Sequence, residues 1–175
     1  MNPPAGGMTF TPHIEVVVDS PLWRKKPRCK TLIHKAIATA RASGPVPRRK
    51  SGSTANLGLA ILLTDDSAMR ALNREWRKLD APTNVLSFPS QAAVRRASRH
   101  LGDIAIAYET TAREATAEGK RFEHHLVHLA VHGYLHLLGY DHANDRDATK
   151  MERLEAEILA RLGVPDPYGP RNPEA

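Results

Sequence analysis

Apolar residues occur along the chain in two patterns: short runs of strand length, and longer segments with helical spacing. Four short runs, at residues 13–18, 57–63, 85–88 and 103–107, predict β-strands. The run at 57–63 is continuously apolar, which is typical of a strand that lies centrally in a sheet.

Helical spacing of apolar residues predicts helices at 29–43, 65–76, 110–118, 122–138 and from about 145 to 162. Side chains that accept hydrogen bonds from backbone N–H groups favour helix starts. The predicted caps are therefore Thr64 for the second helix and Asp145 or Asp147 for the last. Because strands and helices are interspersed, the order predicts one sheet with helices packed over it.

A length of 175 residues fits one domain with its own hydrophobic core. We predict that this domain spans 13–164, with flexible tails at 1–12 and 165–175, and that 44–56 and 90–100 are loops. No apolar run is long enough to span a bilayer, and the first residues lack the pattern of a secretory signal. The single cysteine excludes an internal disulfide, so the predicted location is the cytoplasm, with no membrane partner.

The formal net charge is +6 and the pI is about 9.7. Basic residues cluster in three places, which are Arg24 to Lys30, Arg48 to Lys50 and Arg95 to His100. A basic surface attracts polyanions, of which nucleic acid is the commonest. Each cluster is also compatible with an ordinary solvated loop, so charge alone favours RNA binding only weakly.

Three histidines near the end of the fourth predicted helix carry the strongest chemical signal. His132 and His136 are four residues apart, so they share one helix face. Gly139 allows the chain to leave the helix, and His142 can then turn back toward the same point. Three imidazoles with one coordination position left over predict a catalytic zinc, because structural zinc is normally held by four protein ligands.

The residues around these histidines limit the chemistry. Gly133 stands where helical metalloproteases place a glutamate base, which counts against peptide hydrolysis. Asp141 is either a partner that orients a metal-binding ring or an ordinary turn aspartate. His128 shares the helix face of the metal histidines and is a candidate to orient them. It is not expected to be a fourth ligand, because it lies about one turn too far along the helix. His124 and His125 begin the helix and are predicted to be surface residues.

A second polar segment runs from Asn73 to Pro89, between a helix end and a strand. Polar side chains in such a connection often line functional surfaces. An arginine here is suited to clamp a phosphate, and Arg74, Arg77 or Lys78 is equally suited to cap the helix C-terminus. The residues alone do not separate these two roles.

Three segments resemble the YbeY family of bacterial single-strand-specific endoribonucleases. They are His132 to His142, which matches H-G-x-L-H-L-x-G-Y-D-H, the segment Asn73 to Pro89, and the strand signature Leu101 to Ile104. The resemblance implies an α/β (α+β) fold, a mixed sheet of about four strands with about five helices and a cleft leading to the metal. It also implies one zinc ion bound by His132, His136 and His142, and a role for Arg77 in RNA cleavage. Asn84 stands where the family frequently has aspartate.

The expected function is a zinc-dependent endoribonuclease acting in 16S rRNA 3′-end maturation and ribosome quality control. His132, His136 and Arg77 would carry catalysis, and the expected partners are single-stranded rRNA and the small ribosomal subunit or its assembly factors. The alternative is a ribosome assembly factor whose zinc is mainly structural. A hydrolase of small esters or peptides is disfavoured by Gly133 and by the positive charge.

Overall fold

The structure is a computed structural model that describes residues 13–44, 57–91 and 98–169. The predicted tail 1–12, the end of the predicted tail 165–175, nearly all of loop 44–56 and most of loop 90–100 lie outside the described residues. One of the three basic clusters, Arg48 to Lys50, therefore lies wholly outside the described residues. Another lies partly outside them, because it includes Arg95 and Arg96.

Four strands form one mixed sheet in the described residues, with the order β1-β2-β4-β3. They are β1 Ile14–Val18, β2 Gly58–Thr64, β3 Val85–Pro89 and β4 His100–Ala107. β1, β2 and β4 pair in parallel, whereas β3 is an edge strand antiparallel to β4. β2 is therefore interior, as its continuous apolar run predicts.

Five α-helices cover this sheet, so the predicted fold class is confirmed for the described residues. They are α1 Cys29–Ala42, α2 Asp66–Arg77, α3 Tyr108–Ala117, α4 Phe122–Leu137 and α5 Asp145–Arg161. A short 3₁₀ helix at Pro21–Lys25 precedes α1. No helix among these is long and apolar enough to cross a membrane.

The two faces of the sheet bury different helices. Every second residue of β2 faces the main core, namely Leu59, Ile61 and Leu63. The same core contains the apolar faces of α1, α4 and α5. A smaller cluster on the other face joins Met69 of α2 to Leu86 and to alanines of β4. α2 and α4 consequently lie on opposite faces of the sheet.

The predicted helix caps and the start of β4 are corrected by the structure. Thr64 is not a cap: it ends β2 and donates its hydroxyl to Asp19, while Asp65 has the extended backbone of a cap and accepts from the Ala68 N–H. Asn144, rather than Asp145 or Asp147, caps α5. β4 begins three residues earlier than the predicted run, because backbone pairing with β2 and β3 continues through His100 and Gly102.

Candidate metal centre

The end of α4 brings the three histidines together. Leu138 is the helix cap, and Gly139 adopts a φ of 92°, a left-handed conformation that glycine tolerates. The Gly139 and Tyr140 N–H groups donate to the carbonyls of His136 and Leu135, so the chain turns back directly after the helix. This turn returns His142 to the helix face that carries His132 and His136.

The three imidazoles have the spacing of a metal site. One nitrogen from each of His132, His136 and His142 lies within 4.8 Å of the others, and the Nε2 atoms of His132 and His136 are 3.0 Å apart. Burial, followed by the neighbouring charges of His132 and His142, lowers the pKa of His136 to about 4. His136 is therefore neutral at pH 7, as a metal-binding imidazole must be.

Close packing of α4 on the sheet holds the histidines in position. A Cβ at Gly133 would lie 3.0 Å from Ile104 Cγ2 and 3.2 Å from Ser87 Oγ. The Ser87 hydroxyl donates to the Gly133 carbonyl at 3.2 Å. Gly133 is thus the residue that lets the helix approach β3 and β4, which accounts for glycine after the first metal histidine.

Glu155 of α5 is a functional candidate that the sequence analysis missed. Its side chain is fully buried, with 0% relative exposure. Its Oε1 lies 2.7 Å from His132 Nδ1, and its Oε2 lies 3.0 Å from His128 Nε2. Burial alone would raise the pKa of Glu155, but the hydrogen bonds from His128 and His132 outweigh it and lower the pKa to about 2. A charged carboxylate here requires a proton on His132 Nδ1 and leaves its Nε2 for a metal.

Tyr168 completes the surroundings of Glu155. Its hydroxyl donates to Glu155 Oε2 and lies 3.4 Å from His128 Nε2. Burial and the charge of Glu155 raise the pKa of Tyr168, so the phenol stays protonated and can donate. The described start of the predicted tail 165–175 is therefore anchored on the histidine network.

The neighbouring predicted residues have different outcomes. Asp141 is exposed, and its carboxylate accepts from the backbone N–H of His142, a contact typical of a turn, while its charge also acts on the neighbouring His136. His128 lies 3.0 Å from Glu155 Oε2, and its ring packs edge-on against the ring of His132, so it adjoins the cluster without offering a fourth ligand atom to it. The prediction that His125 is a surface residue is wrong: it is 5% exposed and pairs with Glu114, because that side of α4 faces α3. His124 is half-buried.

The donor set of His132, His136 and His142 fits a zinc ion, and imidazole equally suits other transition metals. A second group, His128, His132 and Glu155, also has ligand atoms within 4.8 Å of one another. Its separations of 2.7 and 3.0 Å are those of charge-assisted hydrogen bonds. These distances identify Glu155 as a hydrogen-bonding partner of the histidines, and the three histidines as the group that could hold a metal ion.

Arg77 lies apart from this cluster. It is the last residue of α2, on the opposite face of the sheet from α4, and its side chain is exposed. No hydrogen bond or ion pair joins it to another described residue. Nearby, Arg70 and Asp80 form a bidentate ion pair with two 2.8 Å bonds across the connection that leads to β3. The catalytic role of Arg77 stays a prediction.

Asn84 takes part in a second hydrogen-bonded group. Its amide donates to Glu114 Oε2 at 2.9 Å, and the same carboxylate oxygen lies 2.9 Å from His125 Nε2. The side-chain oxygen Oδ1 of Asn84 accepts from the Val85 N–H. An aspartate could not donate to Glu114, so asparagine at this position matches its neighbour in this chain.

The sequence and the fold of this chain match those of known proteins. A family model described as Endoribonuclease YbeY matches residues 24–163. A Nitrobacter winogradskyi protein named Endoribonuclease YbeY is 53% identical over 165 residues, which cover 91% of this chain and 84% of that protein. A protein of the same name from Bradyrhizobium diazoefficiens is 50% identical over 165 residues, covering 91% and 87%. The solution structure of a Thermotoga maritima protein matches with a TM-score of 0.54 and 20% identity, covering 93% of this chain and 99% of that one, which supports the fold.

Proposed function

The chain belongs to the YbeY endoribonuclease family, and from that premise we propose that it is a zinc-dependent enzyme that cleaves single-stranded RNA. We further propose that residues 13–164 form the catalytic domain, and that its substrate is the 3′ end of 16S rRNA in small-subunit precursors during maturation and quality control. The observation that carries the metal-dependent part is the convergence of His132, His136 and His142 within 4.8 Å.

The metal site supports catalysis more than a purely structural role. Structural zinc sites have four protein ligands, whereas catalytic sites keep a position for water or substrate. Among residues 13–44, 57–91 and 98–169, no further His, Cys, Asp or Glu side chain joins the three histidines within ligand distance. His142 is exposed, so the ligand set is accessible from solvent on that side.

Each residue of the site has a separate part in the proposed reaction. A zinc ion held by the three histidines would supply a Lewis acid and lower the pKa of a bound water to about 7. Glu155 holds His132 with Nδ1 protonated and Nε2 directed at the cluster, and Tyr168 and His128 hold Glu155. The imidazole of His132 is therefore oriented before RNA binds.

The end of α2 is the proposed place where RNA phosphate is recognised. Arg74, Arg77 and Lys78 lie in or directly after its last turn, and all three are exposed. Trp76 beside them is 64% exposed and contacts the ring of Phe88 on β3. Guanidinium groups bind phosphate and an exposed indole can stack on a base, so this surface suits single-stranded RNA. For Arg77 to stabilise the negative charge that develops on the phosphate during cleavage, its long side chain must reach around the edge strand β3 toward the three histidines, because α2 and α4 lie on opposite faces of the sheet.

The metal-dependent proposal is tested by metal analysis and RNA cleavage on matched variants. We expect His136→Ala to lose bound metal and cleavage of a single-stranded rRNA fragment. His34→Ala, which changes an exposed histidine on α1, should retain both. Cleavage by metal-depleted protein at the wild-type rate, or full activity of His136→Ala, would refute the metal-dependent mechanism.

The role of Arg77 is tested separately. Loss of a transition-state contact of this kind lowers kcat by about 10²–10³, so Arg77→Gln should do so while metal content stays unchanged. Arg153→Gln, which removes an exposed arginine from α5, is the matched control. A wild-type kcat for Arg77→Gln would refute a catalytic role for this exposed guanidinium.

A further inference from the structure

A pocket of about 370 Å³ lies away from the metal histidines, where α1 and α4 begin. Its rim carries the basic side chains Lys25, Lys26, Arg28, Lys35 and Arg121. Its floor is apolar and includes Leu32, Leu126 and Val164. The volume lies in the range of small-ligand sites, about 300–1,000 Å³.

Most of the positive charge around this pocket is not neutralised by the protein. Lys26 pairs with Glu123 at 3.0 Å. In the described part of the chain, Lys25, Arg28, Lys35 and Arg121 form no ion pair with any side chain. Several like charges around one pocket repel one another, so they are more stable when an anion is bound between them.

The helix starts add to this charge. Arg28 and Arg121 are the cap residues of α1 and α4, and neither side chain makes a capping hydrogen bond. Helix N-termini carry unsatisfied N–H groups and a partial positive charge, so basic residues there are unfavourable unless an anion is nearby. The first turn of α1 has no acidic residue, whereas that of α4 holds Glu123, which pairs with Lys26. Arg28 and Arg121 therefore lie at two helix starts where a bound phosphate would be favourable.

We propose that this pocket binds a nucleotide of the RNA substrate outside the point of cleavage, with phosphate between Arg28 and Arg121 and the base over the apolar floor. This proposal rests on the proposed function. It favours RNA over an acidic peptide because the pocket and the metal site share α4. His124 lines the pocket and lies on the same helix as His132, about 12 Å before it along the helix axis. One RNA strand can thus occupy both places.

The test measures binding of a fluorescent oligouridine of about ten nucleotides, a length within the usual site size of single-strand binders. Full-length wild-type protein is compared with the Arg28→Gln/Arg121→Gln double variant over a range of salt concentrations. Two lost phosphate contacts should lower the slope of log affinity against log salt by about 1.4, and affinity at about 0.1 M salt by roughly 25-fold. Cleavage of the same RNA should show a higher KM with kcat unchanged.

Lys30→Gln is the matched control, because Lys30 lies in the first turn of α1 and is exposed but does not line the pocket. It should keep most of the affinity. Unchanged binding by the double variant would overturn the proposal, and so would an equal loss in Lys30→Gln, which would indicate a diffuse charge effect. Equal affinity for an oligoglutamate peptide, with the same loss in the double variant, would overturn the assignment to RNA. Wild-type cleavage in any of these cases would leave the proposed function standing.

Discussion

Replacement of Glu155 by glutamine is the change that most directly tests how the metal site is held. The carboxylate receives His132 on one oxygen, and His128 and Tyr168 on the other. Glutamine has a similar shape but offers only one acceptor oxygen, so one side of the group must become an NH₂ donor. The two donors at Oε2 favour keeping the amide oxygen there. The NH₂ group then faces His132 Nδ1.

This orientation changes the chemistry of His132. An NH₂ group at Nδ1 requires a lone pair on that nitrogen and moves the proton to Nε2, the atom that faces the other two metal histidines. Loss of such a supporting hydrogen bond typically lowers metal affinity by about 10–100-fold, which corresponds to roughly 1.4–2.7 kcal/mol. Loss of charge-assisted hydrogen bonds in a buried site should also lower the free energy of unfolding by about 2 kcal/mol.

Metal affinity is measured by competition with a chromophoric chelator, and stability by thermal denaturation of the metal-free protein. The control is Glu157→Gln, on the same helix, because Glu157 is 55% exposed and pairs only with the exposed Arg153. Such a pair contributes about 0–1 kcal/mol, so neither quantity should change much. If Glu155→Gln binds zinc as tightly as wild type, the argument that Glu155 sets the protonation of His132 is wrong.

Three further predictions follow from individual contacts. Asn84→Asp should lower the free energy of unfolding by about 1–2 kcal/mol in urea denaturation, because it replaces a donor to Glu114 with a like charge. Gly133→Ala should lower it by about 1 kcal/mol, since crowding against Ile104 exceeds the gain in helix propensity, and an increase would refute the close approach. The metal-free protein should lose stability as pH falls from 6.5 toward 4, because the folded-state pKa of His136 is lowered and the unfolded chain binds more protons. His136→Gln should remove part of that pH dependence, on the order of 1–2 kcal/mol in thermal denaturation after allowance for solvent screening.

Local pattern was sufficient for most of the fold. The apolar runs predicted all four strands and five helices of the described residues, because period and turn residues report which face of each element is buried. The errors concern element ends. Thr64 and Asp65 are both good capping residues, and backbone pairing of Thr64 with Ala107 of β4, with its hydroxyl donated to the Asp19 carboxylate, keeps Thr64 in the strand. His125 was misplaced because helical spacing does not show that α3 covers that side of α4.

The position of Glu155 on the apolar face of α5 could have marked it as a candidate from the sequence. It lies four residues after Met151 and four before Leu159, on a stripe of α5 that is buried. A lone carboxylate on an apolar face usually has a specific partner, because burial of an unpaired charge is costly. The sequence could not identify the partner of Glu155, because His132 is 23 residues away in the chain.

The sequence by itself predicted the convergence of His132, His136 and His142, because they fall within one helix end and its turn, where backbone geometry sets the distances. The tertiary structure alone decided what supports and surrounds them. Glu155 reaches His132, and Tyr168 reaches Glu155, only through the packing of α5 and the following segment on α4. Arg77 is carried to the other face of the sheet, and the basic pocket forms from residues before α1, at the start of α4 and after α5. Contacts between distant segments depend on how whole elements pack, and no local spacing encodes them.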